Sequence, residues 1–560
     1  MEDFDSMSTI EILEILFVFA GGLGMFLYGM HVMADGLQKS AGGKMKRLLG
    51  YLTQNRLVAV LVGTLVTSII QSSSATTVMV VGFVNAGIMN LSQAVGIIMG
   101  ANIGTTVTSG LVSMSEWGSA LKPDFFAPLI LAIGAFIIMF NGKNEKRNEI
   151  AQILIGFGLL FIGLNFMSDV IKPFRDSEVF SNAFAVMGRT PLLGILVGMV
   201  VTAIIQSSSA SVGILQTLAM NGVVNWGSAV FITLGQNIGT CVTAMLSSVG
   251  ASKTGKRAAV IHLYFNVLGA AIFGTIMYIV FRINSEFATA NISSTQIFMF
   301  HALFNIANTI ILFPFANALV KLSGVFIKES SDDISEDEVN VTLRHLDERI
   351  LESPSFAVVN SIKEVVHMGQ ITLENTRRAV EALLKNDEAK AKKVLEVEKI
   401  IDTHQKIITK YLVKINNLSL TNKQQQVVNN LFHTISNIER VGDHAENLAE
   451  LALEKIESNI YLSDEAYKEL SEICETAASS FENALKARET ENIEYVHKVM
   501  ELEDMVDEQK NTLRQRHIDR LSQGICTSEN GVIFIDALIN LERISDHSLN
   551  IANFVKKELK

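Results

Sequence analysis

Long uncharged stretches dominate the first part of the chain, and long heptad-like patterns dominate the second. The uncharged stretches recur from residue 10 to about 320, and each is near the roughly 20 residues that a bilayer requires. Beyond Leu343, apolar residues recur with helical spacing and without the alternation typical of strands. The pattern therefore predicts an all-α protein with a polytopic membrane part followed by soluble helices.

Two of the uncharged segments carry a cluster of polar residues, whereas the others read as ordinary spans. The polar segments are residues 57–88 and 190–223. An amphipathic piece follows the first span and holds Lys39, Lys44, Lys46 and Arg47. The ordinary spans are expected near residues 10–33, 92–114, 125–140, 149–171, 226–250, 258–283 and 296–320.

The membrane part is an internal duplication. The peptide Gln-Ser-Ser-Ser-Ala begins at Gln71 and again at Gln206, and Asn-Ile-Gly-Thr begins at Asn102 and again at Asn237. Both pairs are 135 residues apart, and chance does not align two separate motifs at one spacing. Four consecutive polar side chains are costly in a lipid environment, so their presence in both copies indicates a binding site.

The distribution of basic loops predicts that the two copies are inverted. Lys143–Arg147 and Lys253–Arg257 are expected on the cytoplasmic side, together with the soluble part. The predicted spans are consistent with this only if each serine segment enters and leaves the membrane on one side. The first then dips in from the cytoplasm and the second from outside, as in secondary transporters with re-entrant hairpins.

Charge restricts what the membrane part can bind. Residues 57–115 and 190–252 contain no Asp, Glu, Lys, Arg or His, so a proton-coupled centre is disfavoured there. Hydroxyl and amide oxygens suit a hard cation such as sodium, and hydroxyl and helix N-terminal N–H groups suit an oxyanion. Because no basic residue would neutralise the anion, co-bound cations are expected to do so. The soluble part has 29 basic and 43 acidic residues, which argues against nucleic acid as a partner.

The paired motifs resemble those of the sodium–phosphate cotransporter family over roughly residues 10–325. The resemblance implies a central site for phosphate and sodium ions at which the inverted repeats meet. The residues that it places there are Gln71, Ser72, Ser73, Ser74, Asn102, Thr105, Gln206, Ser207, Ser208, Ser209, Asn237 and Thr240. A further pattern, His-x-x-Phe-Asn, ends at Asn266 and at Asn305; these asparagines either complete the site or form an interhelical contact.

The soluble part also repeats. Glu-Arg-x-x-Asp-His begins at Glu439 and again at Glu542, each after a Glu-x-x-x-Asp that places two carboxylates on one helical face. Four facing carboxylates are tolerable with cations between them, which predicts metal binding. The expected ligands are Glu398, Asp402, Glu439, Asp443, Glu503, Asp507, Glu542 and Asp546.

This part resembles the PhoU family over roughly residues 345–560. The resemblance implies two similar three-helix bundles with multinuclear sites for a divalent metal or an iron cluster. It also implies a regulator of phosphate uptake rather than an enzyme. Nothing in the chain is typical of catalysis, since no phosphate-binding glycine loop with a lysine and no nucleophile–base pair is present.

These patterns predict the following organisation. Residues 1–325 form the membrane domain, with one repeat at about 10–140, a second at about 149–283 and a last span at about 296–320; residues 326–342 are an acidic linker, and residues 343–560 form the PhoU-like domain. We expect a sodium-dependent phosphate transporter of the inner (plasma) membrane that works by alternating access, with a cytoplasmic regulatory domain and PhoU-like surfaces that suit a homodimer. The alternatives are a carrier of another oxyanion and a phosphate sensor that transports nothing.

Overall fold

The computed structural model describes residues 8–51, 55–117, 123–140, 144–172, 178–327 and 346–559. These ranges contain helices and turns and no strand beyond an isolated bridge between Asn225 and Asn291, which confirms the all-α prediction. The chain separates into a first unit, Met1–Glu336 with Asp347–Phe356, and a second, Asp337–Leu346 with Ala357–Lys560. Most of the predicted acidic linker lies outside the described residues.

Fifteen helices form the described part of the first unit. They are α1 Thr9–Tyr51, α2 Arg56–Ile70, α3 Ser73–Asn85, α4 Leu91–Ser113, α5 Pro123–Phe140, α6 Glu145–Ile171, α7 Glu178–Arg189, α8 Pro191–Ile205, α9 Ser208–Met220, α10 Trp226–Gly239, α11 Cys241–Ser247, α12 Lys253–Ile283, α13 Ser285–Thr289, α14 Ser294–Leu312 and α15 Ala316–Phe326. A short 3₁₀-helix, Glu348–Glu352, also belongs to this unit.

Among the described residues, six helical segments are long and apolar enough to cross a membrane, and they include most of the predicted spans. The first differs from the prediction, because α1 continues without a break through the amphipathic piece to Tyr51. The helices of the two serine segments are shorter. They have 13 or 15 residues, about 20 Å at the rise of an α-helix, which is less than a bilayer core.

Helices α1 and α6 pack closely in opposite directions through glycines. A Cβ added to Gly22 would lie 2.8 Å from the carbonyl oxygen of Gly163, and one added to Gly29 would lie 2.7 Å from that of Gly156. The residue number falls along α6 as it rises along α1, so the two helices are antiparallel. Gly22 and Gly29 correspond to Gly156 and Gly163 at an offset of 134, and the two contacts are therefore equivalent. Corresponding helices of the two copies thus meet about a local two-fold axis.

Six helices form the second unit. They are α16 Pro354–Lys385, whose first three residues belong to the first unit, α17 Glu388–Asn416, α18 Asn422–Glu457, α19 Asp464–Thr490, α20 Ile493–Ser522 and α21 Ser528–Leu559. Helices α17 and α18 pack together, and α16 joins them through the hydrogen bond from Asn375 Nδ2 to Val394 O. Helices α19, α20 and α21 pack with one another, and α18 contacts α21.

A pair of histidines marks the two-fold relation between these three-helix groups. His444 Nδ1 lies 2.9 Å from Asn540 Oδ1, and His547 Nδ1 lies 2.9 Å from Asn437 Oδ1. The residues of the second contact are equivalent to those of the first at the repeat spacing of 103. The imidazole rings stack with their centroids 5.5 Å apart. The predicted pair of three-helix bundles is present.

Candidate functional site

Each serine motif forms a tight turn between two short helices. Gln71 ends α2 in the left-handed conformation (φ 59°), and Gln206 ends α8 in the same way (φ 56°). The hydroxyl of Ser72 accepts a hydrogen bond from Ala75 N, and that of Ser207 accepts one from Ala210 N. The motif serines thus begin α3 and α9, where unpaired N–H groups and the helix dipole favour an anion.

A hydrogen bond closes each turn. Thr67 Oγ1 donates to Thr76 Oγ1 over 3.0 Å, and Thr202 Oγ1 donates to Ser211 Oγ over 2.9 Å. Residues nine apart would be about 13 Å apart along one continuous helix, so the chain folds back at each motif. The serine segments are therefore helical hairpins.

Glycines set the close approach of each hairpin to the neighbouring Asn-Ile-Gly-Thr helix. A Cβ added to Gly100 would lie 2.0 Å from Val60 O, and one added to the corresponding Gly235 would lie 2.0 Å from Ile195 O. Only glycine allows two backbones to approach this closely. Helices α2 and α4 therefore pack in the same way as α8 and α10, with a glycine at the equivalent position. The duplication seen in the sequence extends to backbone contacts.

Most of the predicted site residues are buried. Ser73, Ser74, Asn102, Thr105, Ser208, Ser209, Asn237 and Thr240 are each at most 8% exposed. Ser72 and Ser207 are half-buried. The two glutamines differ, since Gln71 is 6% exposed whereas Gln206 is exposed. The two copies therefore share their backbone but not the environment of this side chain.

Threonine 108 joins the two copies. Ser209 Oγ donates to Thr108 Oγ1 over 3.4 Å, and Thr108 Oγ1 donates to Gln71 Oε1 over 2.8 Å. The Gln71 amide is oriented by its own donation to Ser68 O. Thr108 was not among the predicted residues, although it belongs to the run Asn102–Thr108 that the second copy repeats.

A histidine outside the motifs also reaches both copies. His301 Nε2 lies 3.2 Å from Asn237 Oδ1, and its Nδ1 lies 3.5 Å from Ser109 Oγ. The ring is 1% exposed. It stands on α14 and begins the second His-x-x-Phe-Asn pattern, although it was not among the predicted site residues. Helix α14 is thus part of the polar centre of the unit.

Asn266 and Asn305 are wholly buried near this centre. Asn266 Nδ2 donates to His262 O and to Cys241 Sγ, and Asn305 Nδ2 donates to His301 O. No described residue donates to the side-chain oxygen of either asparagine. Both oxygens therefore remain available to a ligand.

Three carboxylates converge in the second unit. One carboxylate oxygen from each of Glu398, Asp443 and Glu446 lies within 4.8 Å of the other two. Burial, followed by the charges of Asp402, Glu446 and Asp443, raises the pKa of Glu398 to about 7. Burial, followed by neighbouring carboxylates, also raises the pKa of Glu439, Asp443 and Glu446. The raised pKa values show that carboxylate repulsion and burial outweigh the nearby charges of Lys399 and Arg440. These hard oxygen ligands fit a metal ion, and Glu446 was not among the predicted ligands.

The second predicted carboxylate set is balanced differently. Lys510 Nζ lies 2.7 Å from Glu542 Oε1, and Arg543 Nη1 lies 3.5 Å from Asp546 Oδ2. The counterpart of Glu446 in this copy is Leu549. Burial, then the charge of Asp507, raises the pKa of Glu503. This set thus contains an ammonium group beside Glu542 and has no counterpart of Glu446.

Taken with the spans and hairpins, these contacts define a polytopic membrane protein with a second, all-helical unit. Two family models match the chain: "Na+/Pi-cotransporter" over residues 25–169 and 175–308, and "PhoU domain" over residues 365–452 and 470–555. The chain belongs to the Na⁺/Pi-cotransporter family and carries a fused PhoU domain. It is thus a member of a phosphate transporter family, as its sequence motifs predict.

Three individual proteins show the extent of the similarity. The "Putative inorganic phosphate export protein YjbB" of Salmonella typhimurium (strain LT2) is 22% identical over 96% of this chain and 96% of its own. The "Sodium-dependent phosphate transport protein 2A" of Rattus norvegicus is 37% identical over 19% of this chain and 16% of its own. The crystal structure of PhoU from Pseudomonas aeruginosa covers 36% of this chain and 97% of its own at 23% identity, with a TM-score of 0.35.

Proposed function

We propose that this protein transports inorganic phosphate together with sodium ions by alternating access. The observation that carries the proposal is the hydrogen-bonded series from Ser209 through Thr108 to Gln71, which joins two uncharged hairpin motifs. Helix N-termini and hydroxyl groups suit the phosphate oxygens. Because the surrounding segments hold no basic residue, cations must accompany the anion.

The antiparallel contact of α1 with α6 supports an inverted repeat as the mechanical basis. Equivalent helices that run in opposite directions about a two-fold axis present the same hairpin to opposite sides of a membrane. The different exposure of Gln71 and Gln206 fits one hairpin packed in the centre and the other more open. Exchange of these two environments would alternate access to one site, and the direction of net flux would follow the gradients.

Phosphate flux into proteoliposomes tests this proposal. Radiolabelled phosphate is offered with inward sodium, potassium or proton gradients, and excess sulfate is added as a competitor. We expect uptake that requires sodium and is unaffected by sulfate. Competition by sulfate would indicate a broader oxyanion carrier, and uptake driven by a proton gradient would contradict sodium coupling.

Serine variants connect the flux to the site. Ser73→Ala and Ser208→Ala are expected to abolish sodium-dependent uptake, because each removes a buried hydroxyl at the start of a hairpin helix. Thr275→Ala removes an exposed hydroxyl of α12 and serves as the control. Wild-type rates of sodium-dependent phosphate uptake in both serine variants would contradict the assignment of these serines to the transport site. Phosphate binding without flux in the wild type would favour a sensor.

We further propose that the second unit binds metal ions and regulates the flux. Glu398, Asp443 and Glu446 would hold one ion, which would neutralise the carboxylates and tie α17 to α18. The second set, with Lys510 beside Glu542, would bind more weakly because an ammonium group already offsets the charge. Binding of Mn²⁺ or Zn²⁺ to the purified full-length chain, measured by calorimetry with and without Glu446→Gln, tests the assignment.

A further inference from the structure

Helices α12 and α14 cross in a polar contact that the serine motifs do not include. Asn308 Nδ2 donates to Phe265 O over 3.1 Å, and the rings of Phe273 and Phe304 lie 5.2 Å apart. The two helices are therefore antiparallel, with Asn266 and Asn305 each one residue beyond a contacting phenylalanine.

Hydrogen bonds to backbone carbonyl groups determine the orientation of three asparagine amides on these two helices. Asn266, Asn305 and Asn308 are all 0% exposed, and each Nδ2 donates to a backbone carbonyl, which can only accept. Each side-chain oxygen is therefore the free end, and no described residue donates to any of them. A buried acceptor left without a partner is destabilising, and three such acceptors lie here.

Gly269 makes room for one of these amides. A Cβ added there would lie 2.4 Å from Asn308 Nδ2 and 2.8 Å from Asn308 Oδ1. The crossing thus holds the Asn308 amide against bare backbone, and Asn266, Asn305 and Asn308 are hard oxygen donors that carry no charge. Such a donor set suits a monovalent hard cation better than an anion.

We infer that the crossing of α12 and α14 binds a sodium ion through the side-chain oxygens of Asn266, Asn305 and Asn308, apart from the serine motifs. This inference rests on the proposed sodium coupling and names one of its ion sites. A variant of this site should therefore need a different sodium concentration for transport, while its KM for phosphate stays the same.

Sodium-dependent stability and transport test the site together. In Asn308→Leu we expect the sodium concentration for half-maximal phosphate uptake to rise at least tenfold, with the phosphate KM at saturating sodium within threefold of the wild type. Asn308→Asp keeps the oxygen and should preserve the sodium response, and Thr275→Val on the exposed face of α12 is the control. An unchanged sodium response in folded Asn308→Leu would overturn the inference.

A binding measurement separates this result from the proposed transport. The thermal midpoint of the solubilised full-length chain is compared in sodium and choline chloride without phosphate. We expect sodium to raise it in the wild type and not in Asn308→Leu. Wild-type protein that is stabilised by sodium but moves no phosphate would refute transport and leave the ion site standing. Equal midpoints in both salts for the wild type would overturn the site.

A different set of contacts involves the segment just before α16. Residues Asp347–Ser353, here called the connector clamp, lie in the first unit against the end of α3. Asn85 Nδ2 donates to Asp347 Oδ2 over 2.5 Å, and Asp347 also pairs with Arg349 at 2.7 Å. Ile350 is wholly buried.

Arg349 extends the clamp to α11. Its Nε donates to Ser247 O over 2.6 Å and its Nη2 to Val249 O over 3.3 Å, which satisfies carbonyls at the end of that helix. The backbone of α3 is equally close, since a Cβ added to Gly82 would lie 2.9 Å from Arg349 Cβ. Helix α3 therefore carries motif serines at one end and the clamp at the other.

We propose that the connector clamp is an autoinhibitory contact through which the C-terminal domain restrains the first hairpin. The chain runs directly from the clamp into α16, so a change in the C-terminal domain reaches α3 by covalent continuity. A hairpin that must move during transport is slowed by a contact that fixes one of its ends.

Release of the clamp tests this proposal. Arg349→Ala and, from the opposite side, Gly82→Ala should each raise the maximal rate of phosphate uptake at least threefold. Lys363→Ala removes an exposed cation of α16 and should leave the rate unchanged. A maximal rate of phosphate uptake equal to or below that of the wild type in both folded clamp variants would overturn the proposal. If the wild type itself takes up no phosphate, the proposed transport function fails instead. In that case faster hydrogen exchange of α3 in Arg349→Ala still decides whether the clamp restrains the helix.

Discussion

Thr108 Oγ1 donates a hydrogen bond to Gln71 Oε1 over 2.8 Å, and both residues lie in a segment without charged residues. The same hydroxyl oxygen accepts from Ser209 of the other repeat. One threonine thus links the first glutamine to the second serine motif, and its loss would uncouple the two hairpins.

Replacement of Thr108 by Val tests this link. The change keeps the shape of the side chain and leaves the buried Gln71 oxygen without its partner, at a cost of about 1–3 kcal/mol. We expect phosphate uptake to fall about tenfold or more in Thr108→Val and to be largely kept in Thr108→Ser. Uptake per folded protein in proteoliposomes is the measurement, and equal uptake in the two variants would contradict the role of the hydroxyl.

Glycine packing predicts a stability difference within the membrane unit. The Cβ of Gly100→Ala would lie 2.0 Å from Val60 O, so the backbone of one of the two helices must move. We expect a loss of about 1–3 kcal/mol, seen as a lower unfolding midpoint in detergent. Gly24→Ala meets nothing within 4 Å and is the matched control, whose midpoint should stay the same or rise.

The carboxylates around Glu398 predict a pH dependence of the metal-free protein. The pKa of Glu398 is raised to about 7 from an ordinary 4.5, so its protonated form is favoured by folding. This contribution to stability is complete below pH 4.5 and is lost as the pH rises through 7. The melting midpoint of the second unit should therefore fall between pH 5 and pH 8 in a chelator.

Glu398→Gln is the comparison for this titration. An uncharged amide cannot ionise, so the fall in the midpoint over the same pH range should be smaller. Saturating Mn²⁺ should reverse the fall in the wild type, because the ion stabilises the ionised carboxylates. A steeper fall in Glu398→Gln than in the wild type would refute the assignment of the titrating group.

A buried ion pair holds α19 to α21. Arg488 Nη1 and Nη2 donate to the two carboxylate oxygens of Glu558 over 2.8 and 2.6 Å, and Arg488 is 0% exposed. Removal of one partner leaves an uncompensated buried charge, which costs about 3–5 kcal/mol. Hydrogen exchange of α19 and α21 should be at least about a hundredfold faster in Arg488→Met. Arg488→Met with Glu558→Met should exchange more slowly than the single variant.

Much of the architecture follows from the sequence alone. Repetition at fixed spacing revealed the duplicated hairpins around Gln71 and Gln206, because a motif that recurs in register must occupy equivalent positions. Apolar length predicted the spans, since a bilayer sets the length of a helix. The i, i+4 spacing likewise placed Glu398 with Asp402, and Glu439 with Asp443, on one face of a helix.

Only the tertiary structure decided which side chains of different helices meet. Thr108 and His301 join the two repeats through contacts between residues that are about 65 to 190 positions apart in the sequence. Local periodicity does not predict contacts at such separations. Glu446 entered the carboxylate group, and Lys510 entered the other, because helix rotation sets the facing residues. Sequence spacing fixes the face of one helix, whereas packing of whole helices selects the face that it meets.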